Sequence, residues 1–319
     1  MKAKIIGISS YLPSRVVTND ELSKTLDTSH EWIYSRTGIA SRHVSAYDEL
    51  TSTLAIEAAK QVLEQSEVRP GEIDAIIVST TTGDTRFPSC ACKVQGAIGA
   101  SKAFAFDVNA ACAGFIYALA VADSMMKSMK LKNVLLIASE TLTKFVDWTD
   151  RSTCVLFGDG AGALVLQSSD DETSGIIATK LYSNGDEEKY NSILSHNGAQ
   201  NDYRGYITMA GRSVFKYAIE YMAMSMHDIL NENNMTMNDI DWVIPHQANR
   251  RILESLCKMK EFPLEKFVIT TENHANTSSA SIPLAMRDAM YRGIVKKGDT
   301  LLFSALGAGL VWGSAIIRL

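Results

Sequence analysis

A cysteine, a histidine and an asparagine are the residues of this chain best suited to chemistry. The cysteine is Cys112, in Asp107-Val108-Asn109-Ala110-Ala111-Cys112-Ala113-Gly114-Phe115. Before it, Ala103-Phe104-Ala105-Phe106 reads as a short buried strand. After it, residues 115–122 read as a helix that is apolar almost all round, and therefore buried. Cys112 falls at the turn between them. Small neighbours let the backbone bend sharply and let a substrate approach closely. A helix N-terminus supplies free N–H groups and a positive dipole end, which favour the thiolate, the nucleophilic form. A buried cysteine with a purely structural role fits the same local sequence equally well.

Strand-like apolar runs alternate with helical patterns along the chain, as in an α/β protein. A helix over 51–65 is followed by the turn Arg69-Pro70-Gly71 and a strand over 73–78. Beyond the Cys112 unit come the strand Val134-Leu135-Leu136-Ile137-Ala138 and a glycine-rich run, 157–163, leading into a strand over 164–166. A helix over 213–230 then precedes Ile240-Asp241-Trp242-Val243-Ile244, which matches Ile73-Asp74-Ala75-Ile76-Ile77 at an offset of 167 (240 − 73). The same offset, without a gap, pairs Asn109 with Asn276, Cys112 with Ser279 and Val134 with Leu301. Three elements at one offset imply two homologous α/β halves, residues 1–168 and 169–319. No Pro-, Gly- or Ser-rich linker separates them, so tight pseudo-symmetric packing is expected.

Equivalent strand ends in two such halves converge near the pseudo-twofold axis. In the second half those ends carry His246, in Pro245-His246-Gln247-Ala248-Asn249, and Asn276, in Asn273-His274-Ala275-Asn276-Thr277-Ser278-Ser279. Cys112, His246 and Asn276 are therefore expected in one cleft. His274, two residues from Asn276, would point the same way on a strand and rivals His246. His227, in a Met-rich helical stretch, reads as surface or packing. A cysteine beside a histidine and an amide suits acyl transfer through a thioester. Cys-His-Asn proteases share these residue types, but there the Asn orients the His, whereas Asn276 belongs to a separate strand end. Neighbouring His and Asn donors are better suited to polarising one carbonyl oxygen as an enolate forms. Backbone N–H groups of Cys112 and of the Gly307-Ala308-Gly309 run, Ala308 at its centre, are candidates for a second oxyanion hole.

Composition narrows the remaining classes. The 319 residues are 46% apolar and 21% charged, enough for a large core. A net charge of −5 argues against general nucleic-acid binding, and no apolar run reaches membrane-spanning length. The N-terminal apolar run, broken by Gly7, Ser9 and Ser10, reads as a first strand rather than a signal peptide. An odd, scattered set of cysteines fits a reducing cytoplasm. Cys90-x-Cys92 has no matching pair elsewhere, so no zinc site is expected. Gly158-x-Gly160-x-Gly162 precedes a strand rather than a helix, so tight turns and close packing explain it better than phosphate binding.

At these residues the chain resembles the 3-oxoacyl-[acyl-carrier-protein] synthase III family, condensing enzymes that start bacterial fatty acid synthesis. The likeness covers essentially the whole chain. It runs through Asp27-Thr28-Ser29-His30-Glu31-Trp32-Ile33, Arg36-Thr37-Gly38-Ile39, Ala110-Ala111-Cys112-Ala113-Gly114 and Asp150-Arg151-Ser152-Thr153. It continues through the run 157–163, Pro245-His246-Gln247-Ala248-Asn249 and Asn276-Thr277-Ser278. The resemblance implies a thiolase-like five-layered α-β-α-β-α fold and a homodimer in the cytoplasm. It implies that Cys112 takes an acyl group from acyl-coenzyme A, and that malonyl-acyl carrier protein then binds and loses CO2. His246 and Asn276 would stabilise the enolate that attacks the thioester. It favours His246 over His274, because His246 lies in the family's Pro-His-Gln-Ala-Asn segment. Coenzyme A thioester is then a substrate, with no permanently bound cofactor and no metal.

Further roles follow from the same resemblance. Trp32 and Arg151 match residues that clamp the adenine of coenzyme A. Thr28, Arg36 and Asn249 match other coenzyme A and pantetheine contacts. Phe87 matches a residue reaching into the partner subunit's acyl pocket, and Leu156, Phe157, Met209 and Phe215 match pocket-lining positions. Arg251, beside Arg250, matches a docking contact for the acidic carrier protein.

The chain also departs from the family pattern. Ala275 stands where Gly is usual, and Ala308 replaces the middle Gly of a Gly-Gly-Gly run. A positive φ at either would cost an alanine roughly 1–2 kcal/mol. Leu306 and Leu310 replace commoner Phe residues, which bears on the acyl pocket. Arg212 replaces Asn near the coenzyme A tunnel, and the polar stretch 195–204 is unusual. These changes motivate an alternative, a synthase III-like acyltransferase of secondary metabolism with an unusual acyl starter. A 3-hydroxy-3-methylglutaryl-coenzyme A synthase would need a Glu base after the strand at 73–78, and Thr80-Thr81-Thr82-Gly83-Asp84 holds none. A non-catalytic homologue is opposed by the presence of Cys112, His246 and Asn276 together.

Overall fold

The computed structural model describes residues 2–171, 173–186, 189, 192–195 and 205–319. Its strands, in chain order, are β1 (Lys2–Tyr11), β2 (Val16–Thr18), β3 (Ser41–His43), β4 (Ala75–Ser79), β5 (Phe104–Val108), β6 (Asn133–Thr141) and β7 (Asp159–Ser169). They continue with β8 (Gly175–Ser183), β9 (Ile193–Ser195), β10 (Ile207–Met209), β11 (Trp242–Pro245), β12 (Thr300–Gly307) and β13 (Val311–Arg318). The α-helices are α1 (Asn19–Leu22), α2 (His30–Thr37), α3 (Thr51–Ser66), α4 (Cys90–Ile98) and α5 (Gly114–Met129). After them come α6 (Gly211–Glu232), α7 (Arg250–Lys260), α8 (Thr271–His274) and α9 (Ser281–Tyr291).

Two sheets form the frame. The first has the order β1-β7-β6-β4-β5, with β4 parallel to both β5 and β6 and the other pairs antiparallel. The second has the order β8-β13-β12-β11, with β11 parallel to β12. A parallel bridge from Val243 to Phe267 stands where a fifth strand would extend the match. β4 and β11, β6 and β12, and α5 and α9 each start 167 residues apart (242 − 75, 300 − 133, 281 − 114).

Period-2 alternation divides each strand between two apolar layers. On β6, Leu135 and Ile137 face the layer that holds Leu54, Val62 and Val94 of α3 and α4. Leu136 and Ala138 face the opposite layer, with Phe115 and Leu119 of α5 and Leu284 and Met286 of α9. Leu301 and Phe303 of β12 close that central layer from the other side. Leu302 turns outward to Ile219 and Met226 of α6 and Leu253 of α7. The result is α-β-α-β-α, with α5 and α9 between the sheets. The nearly all-apolar sequence of α5 reflects burial against both of them.

Two local expectations are corrected. The glycine run does not form turns before a strand: β7 begins at Asp159 and contains Gly160 and Gly162. A Cβ at Gly162 would lie 2.7 Å from the Pro283 side chain, so close packing of α9 is what that glycine permits. The residues before Asn276 form the short helix α8, not a strand end. Of the unusual stretch 195–204, Ser195 ends β9, and residues 196–204, with His196, lie outside the described residues.

Ala275 caps α8 with φ 55° and ψ −157°, fully buried. This backbone region favours glycine. Ala308 is not among the positive-φ residues; its neighbour Gly309 takes the positive value, φ 140°. Ala275→Gly is therefore expected to stabilise the fold by about 1 kcal/mol, strain relief outweighing the glycine's unfolded-state entropy. Denaturant unfolding of the two proteins checks this, and a less stable glycine variant would contradict it.

Candidate active site

Cys112 lies in a tight turn, Ala111–Ala113, between β5 and α5. The turn needs Ala111 at φ 44°, a left-handed value, and the Asn109 side chain accepts a 3.3 Å hydrogen bond from the Ala111 N–H. The end of β12 presses on this turn. A Cβ at Gly307 would lie 2.7 Å from the Cys112 nitrogen, so only glycine admits this approach. Cys112 keeps partial solvent access. Burial nevertheless pushes its thiol up to about 11, and the nearby Glu140 charge adds to the shift. The Ser278 hydroxyl and the cysteine's own N–H pull the other way without prevailing. The sequence favoured a thiolate at this helix start; desolvation outweighs the helix terminus, and the resting form is the thiol.

His246 follows β11 and is buried. Its N–H donates to the Ser304 carbonyl at 2.8 Å, and its Nδ1 lies 2.7 Å from the Ser281 hydroxyl at the start of α9. With Nδ1 accepting from the Ser281 hydroxyl, the neutral ring carries its proton on Nε2. Burial pulls the imidazole down to about 4, opposed only by a hydrogen bond with the Ser278 backbone, so the ring is neutral near pH 7. Gln247, fully buried, braces the segment by donating to the Pro245 and Val268 carbonyls at 2.7 and 3.0 Å.

Asn276 is held across the two halves. Its N–H donates to the Leu156 carbonyl at 2.9 Å, and its carbonyl accepts from the Gly158 N–H at 3.0 Å. Its Oδ1 accepts from the Ser278 N–H at 2.9 Å. The side-chain oxygen is thus committed, and the Nδ2 amide remains as a donor. Ser278, at φ 49°, donates its N–H to Asn276 and its hydroxyl to Glu140, and it lies close enough to Cys112 and His246 to shift the protonation of both. His274 lies elsewhere, feeling the charges of Asp288 and His43. On α8 it does not share the direction of Asn276. His227 is exposed and stacks on Phe262 with centroids 5.0 Å apart.

Sequence reading missed Glu140, at the end of β6. No Glu lies in the segment 80–84 directly after β4, yet the fold carries this one to Thr80, Thr81 and Thr82. Its carboxyl is fully buried, accepts hydrogen bonds on both oxygens and is pushed above the usual carboxylate range by desolvation. Ser281 was likewise missed, and Gly307 was named only as part of the run expected to supply an oxyanion hole. Neither Glu140 nor Ser281 has a local pattern that announces it; the offset of 167 does pair Gly114 with Ser281.

Trp32, on α2, carries the Arg36 guanidinium 4.5 Å and the Arg151 guanidinium 5.1 Å from its ring centroid. Arg151 is also tied to Asp27, through its carbonyl and its carboxylate. A base stacked between Trp32 and Arg151 needs about 7 Å, so Arg151 must move outward to admit one. Among the described residues, the buried Thr28 Oγ1 has no hydrogen-bond partner. Asn249 has a structural task, capping α7 by accepting from the Arg251 N–H at 2.8 Å while its amide donates to the Arg36 carbonyl at 3.2 Å.

Leu156 and Phe157 flank Asn276 through the hydrogen bonds and bridge just described. Met209 is on β10, and Phe215 of α6 lines a surface groove of about 390 Å³ with Lys216, Met259 and Lys260. Leu306 and Leu310 are buried with Trp312 in the layer against α6 and α7. Arg212 is exposed at the start of α6. Phe87 is 84% exposed. Arg250 pairs with Glu254 at 2.8 Å, and Arg251 is exposed. Among the described residues, no group of three or more His, Cys, Asp or Glu side chains is placed to hold a metal ion, and no helix is long and apolar enough to cross a membrane.

Residues 106–185 match the family described as 3-oxoacyl-[acyl-carrier-protein (ACP)] synthase III, and residues 230–319 match its C-terminal counterpart. The chain is 48% identical over 320 residues to the beta-ketoacyl-[acyl-carrier-protein] synthase III of Ehrlichia canis, covering 100% of this chain and 99% of that one. It is 49% identical over 319 residues to the Rickettsia felis protein of the same name, with 100% of both covered. The crystal structure of 3-oxoacyl-[acyl-carrier-protein] synthase III from Aquifex aeolicus superposes with a TM-score of 0.94 at 45% identity, covering 99% of this chain and 100% of that one.

Two outcomes follow from the geometry. Alkylation of Cys112 by iodoacetamide should keep accelerating up to about pH 11; an inflexion at or below the ordinary value of about 8.5 would contradict burial as the controlling force. Gly307→Ala should displace the Cys112 turn and slow acylation of the thiol on the order of 100-fold. Stopped-flow acylation measures it, and an unchanged rate in a folded variant would show that the turn tolerates the methyl group.

Proposed function

The chain belongs to the 3-oxoacyl-[acyl-carrier-protein] synthase III family, and from that premise we propose that Cys112 is its nucleophile and that His246 and Asn276 hold its enolate. The enzyme condenses an acyl-coenzyme A starter with malonyl-acyl carrier protein and so initiates fatty acid synthesis. The Cys112 sulfur forms a bond to the acyl carbonyl carbon, the bond to the coenzyme A sulfur breaks, and coenzyme A leaves as a thiol with the cysteine's proton. Malonyl-acyl carrier protein then binds. Its bond to the carboxylate breaks, CO2 departs, and the electron pair stays behind as an enolate. That enolate oxygen is held by His246 Nε2–H and Asn276 Nδ2–H. The enolate carbon attacks the Cys112 thioester, whose oxyanion lies at the N–H groups of Cys112 and Ala308. Collapse releases 3-oxoacyl-acyl carrier protein and the cysteine sulfur, which regains a proton from solvent.

One observation carries this reading. Ser278 gathers a thiol, a neutral imidazole and an amide whose oxygen is already committed. Decarboxylation creates its own nucleophile, so neutral donors suffice and no strong base is needed. The likeness to synthases III over the full length does not favour the alternative in secondary metabolism.

The supporting contacts belong to the same reading. Trp32, Arg151, Thr28, Arg36 and Asn249 bind coenzyme A, supported by the cationic groups on Trp32 and the unpartnered Thr28 hydroxyl. Leu156, Phe157, Met209 and Phe215 line the acyl path, supported for the first two by their place beside Asn276. A homodimer in which Phe87 enters the partner's pocket is supported by the exposure of that ring. Exposed Arg251, with Arg250, docks the acidic carrier protein. Halves spanning 1–168 and 169–319 are supported by the recurring offset. Free cysteines support a cytoplasmic location.

The test is intact mass after incubation with a panel of acyl-coenzyme A donors. Wild type should gain one acyl group and Cys112→Ala none. An adduct that persists in the alanine variant would remove Cys112 from its role.

A further inference from the structure

Glu140 is a costly residue for its position. It is the penultimate residue of β6, a strand buried at every position, in which Ile137 and Ala138 are fully buried apolar residues. A carboxylate taken from water is destabilising unless its lone pairs are satisfied, and no cation is among its partners. All of its partners are hydroxyls and one backbone N–H. Oε2 accepts from Thr82 Oγ1 at 2.8 Å, from the Thr81 N–H and hydroxyl at 3.1 Å each, and from Thr80 Oγ1 at 3.3 Å. Oε1 accepts from Ser279 Oγ at 2.8 Å, from Ser278 Oγ at 3.2 Å and, at 3.3 Å, from the Thr81 N–H as well.

The carboxylate therefore joins opposite halves of the molecule. Oε2 holds the loop that follows β4; Oε1 holds the Ser278–Ala280 turn that leads into α9 while also touching the Thr81 N–H. That turn is strained, with Ser278 at φ 49°; it donates to the Asn276 side chain, packs against the start of α5 beside Cys112, and is followed by Ser281, whose hydroxyl meets His246. A turn held in a sparsely populated conformation needs its surroundings to fix it. We propose that Glu140 is a positioning residue: its carboxylate clamps the Ser278–Ser279 turn to the Thr80–Thr82 loop and so sets the reach of Asn276 and His246 over Cys112. The proposal rests on the assignment of those three residues to the reaction. The titratable groups that face the clamp are Cys112 beside Ser278 and Cys90 of α4, both of which feel the Glu140 charge, and His246 against the Ser278 backbone.

The experiment compares wild type, Glu140→Gln, Glu140→Ala and Ser279→Ala. It records the thermal midpoint, the acyl adduct on Cys112, the kcat and KM for malonyl-acyl carrier protein, and the pH profile of Cys112 alkylation. Glu140→Ala should lower kcat about 100-fold, the scale of a misplaced catalytic group, and leave KM within about threefold. Ser279→Ala, which removes one grip, should lower kcat about tenfold. Glu140→Gln keeps the shape and removes the charge, so its alkylation profile should move to lower pH. Wild-type kcat and an unmoved profile in the folded variants would overturn the clamp. So would losses that track the thermal midpoint and vanish on cooling with the profile unmoved, because Glu140 would then serve stability alone. If Glu140→Ala does not fold, Ser279→Ala and Glu140→Gln decide by the same criteria. An adduct that survives in Cys112→Ala would instead overturn the site assignment, a result distinguishable from failure of the clamp.

Discussion

The proposed nucleophile, Cys112, and the proposed enolate donor Asn276 sit at the turns that lead into two helices buried side by side between two sheets. α5 and α9 share one apolar layer, closed by Leu136 on one side and Phe303 on the other. Because that layer is solvent-free, neither helix can shift without losing contacts on both faces. The turns that precede the helices, at Cys112 and at Ser278, therefore meet at a fixed separation. Gly307 and Glu140 tighten that meeting from opposite sides, the first by admitting backbone and the second by gathering hydroxyls.

The same burial decides the protonation states. Desolvation keeps Cys112 a thiol and His246 an uncharged imidazole, and it raises Glu140. The thiol and the imidazole are both neutral, and neither is a strong base. Such a pair fits a reaction whose nucleophile arises from loss of CO2. Acidification works against this arrangement. His246 is held near 4 in the fold but returns to the usual value of about 6.5 on unfolding. The unfolded chain then binds more protons between those values, so this histidine's contribution is complete above about pH 6.5 and is lost as the pH falls toward 4.

Strain gathers at the same place. Ala111 and Ser278 occupy equivalent positions in the two halves, 167 residues apart (278 − 111), and both take left-handed φ values, 44° and 49°. Ala275 adds a third. Each costs of order 1–3 kcal/mol and persists only where neighbours over-determine it. Here the neighbours are Asn109 for the first turn, Asn276 and Glu140 for the second, and the Thr271 carbonyl for Ala275.

The sequence by itself determined the layers and the principal chemistry. Apolar periodicity located β4, β6, α5 and α6, because side chains on a regular element repeat at fixed spacing. A constant offset of 167, which pairs Cys112 with Ser279 (279 − 112), led to the expectation of two related halves with His246 and Asn276 in one cleft with Cys112. Whatever depends on irregular backbone or on distant pairs escaped that reading. α8 stands where a strand end was expected, β7 absorbs the glycine run, and the thiol is protonated because enclosure outweighs a helix terminus. Glu140 is the sharpest case. It lies 138 and 139 residues from the serines it holds, and no local pattern ties a carboxylate to hydroxyls across that separation. Periodicity and spacing are one-dimensional quantities and survive in the chain. Desolvation and hydrogen bonding between halves exist only once the halves are packed, so the tertiary structure alone decided them.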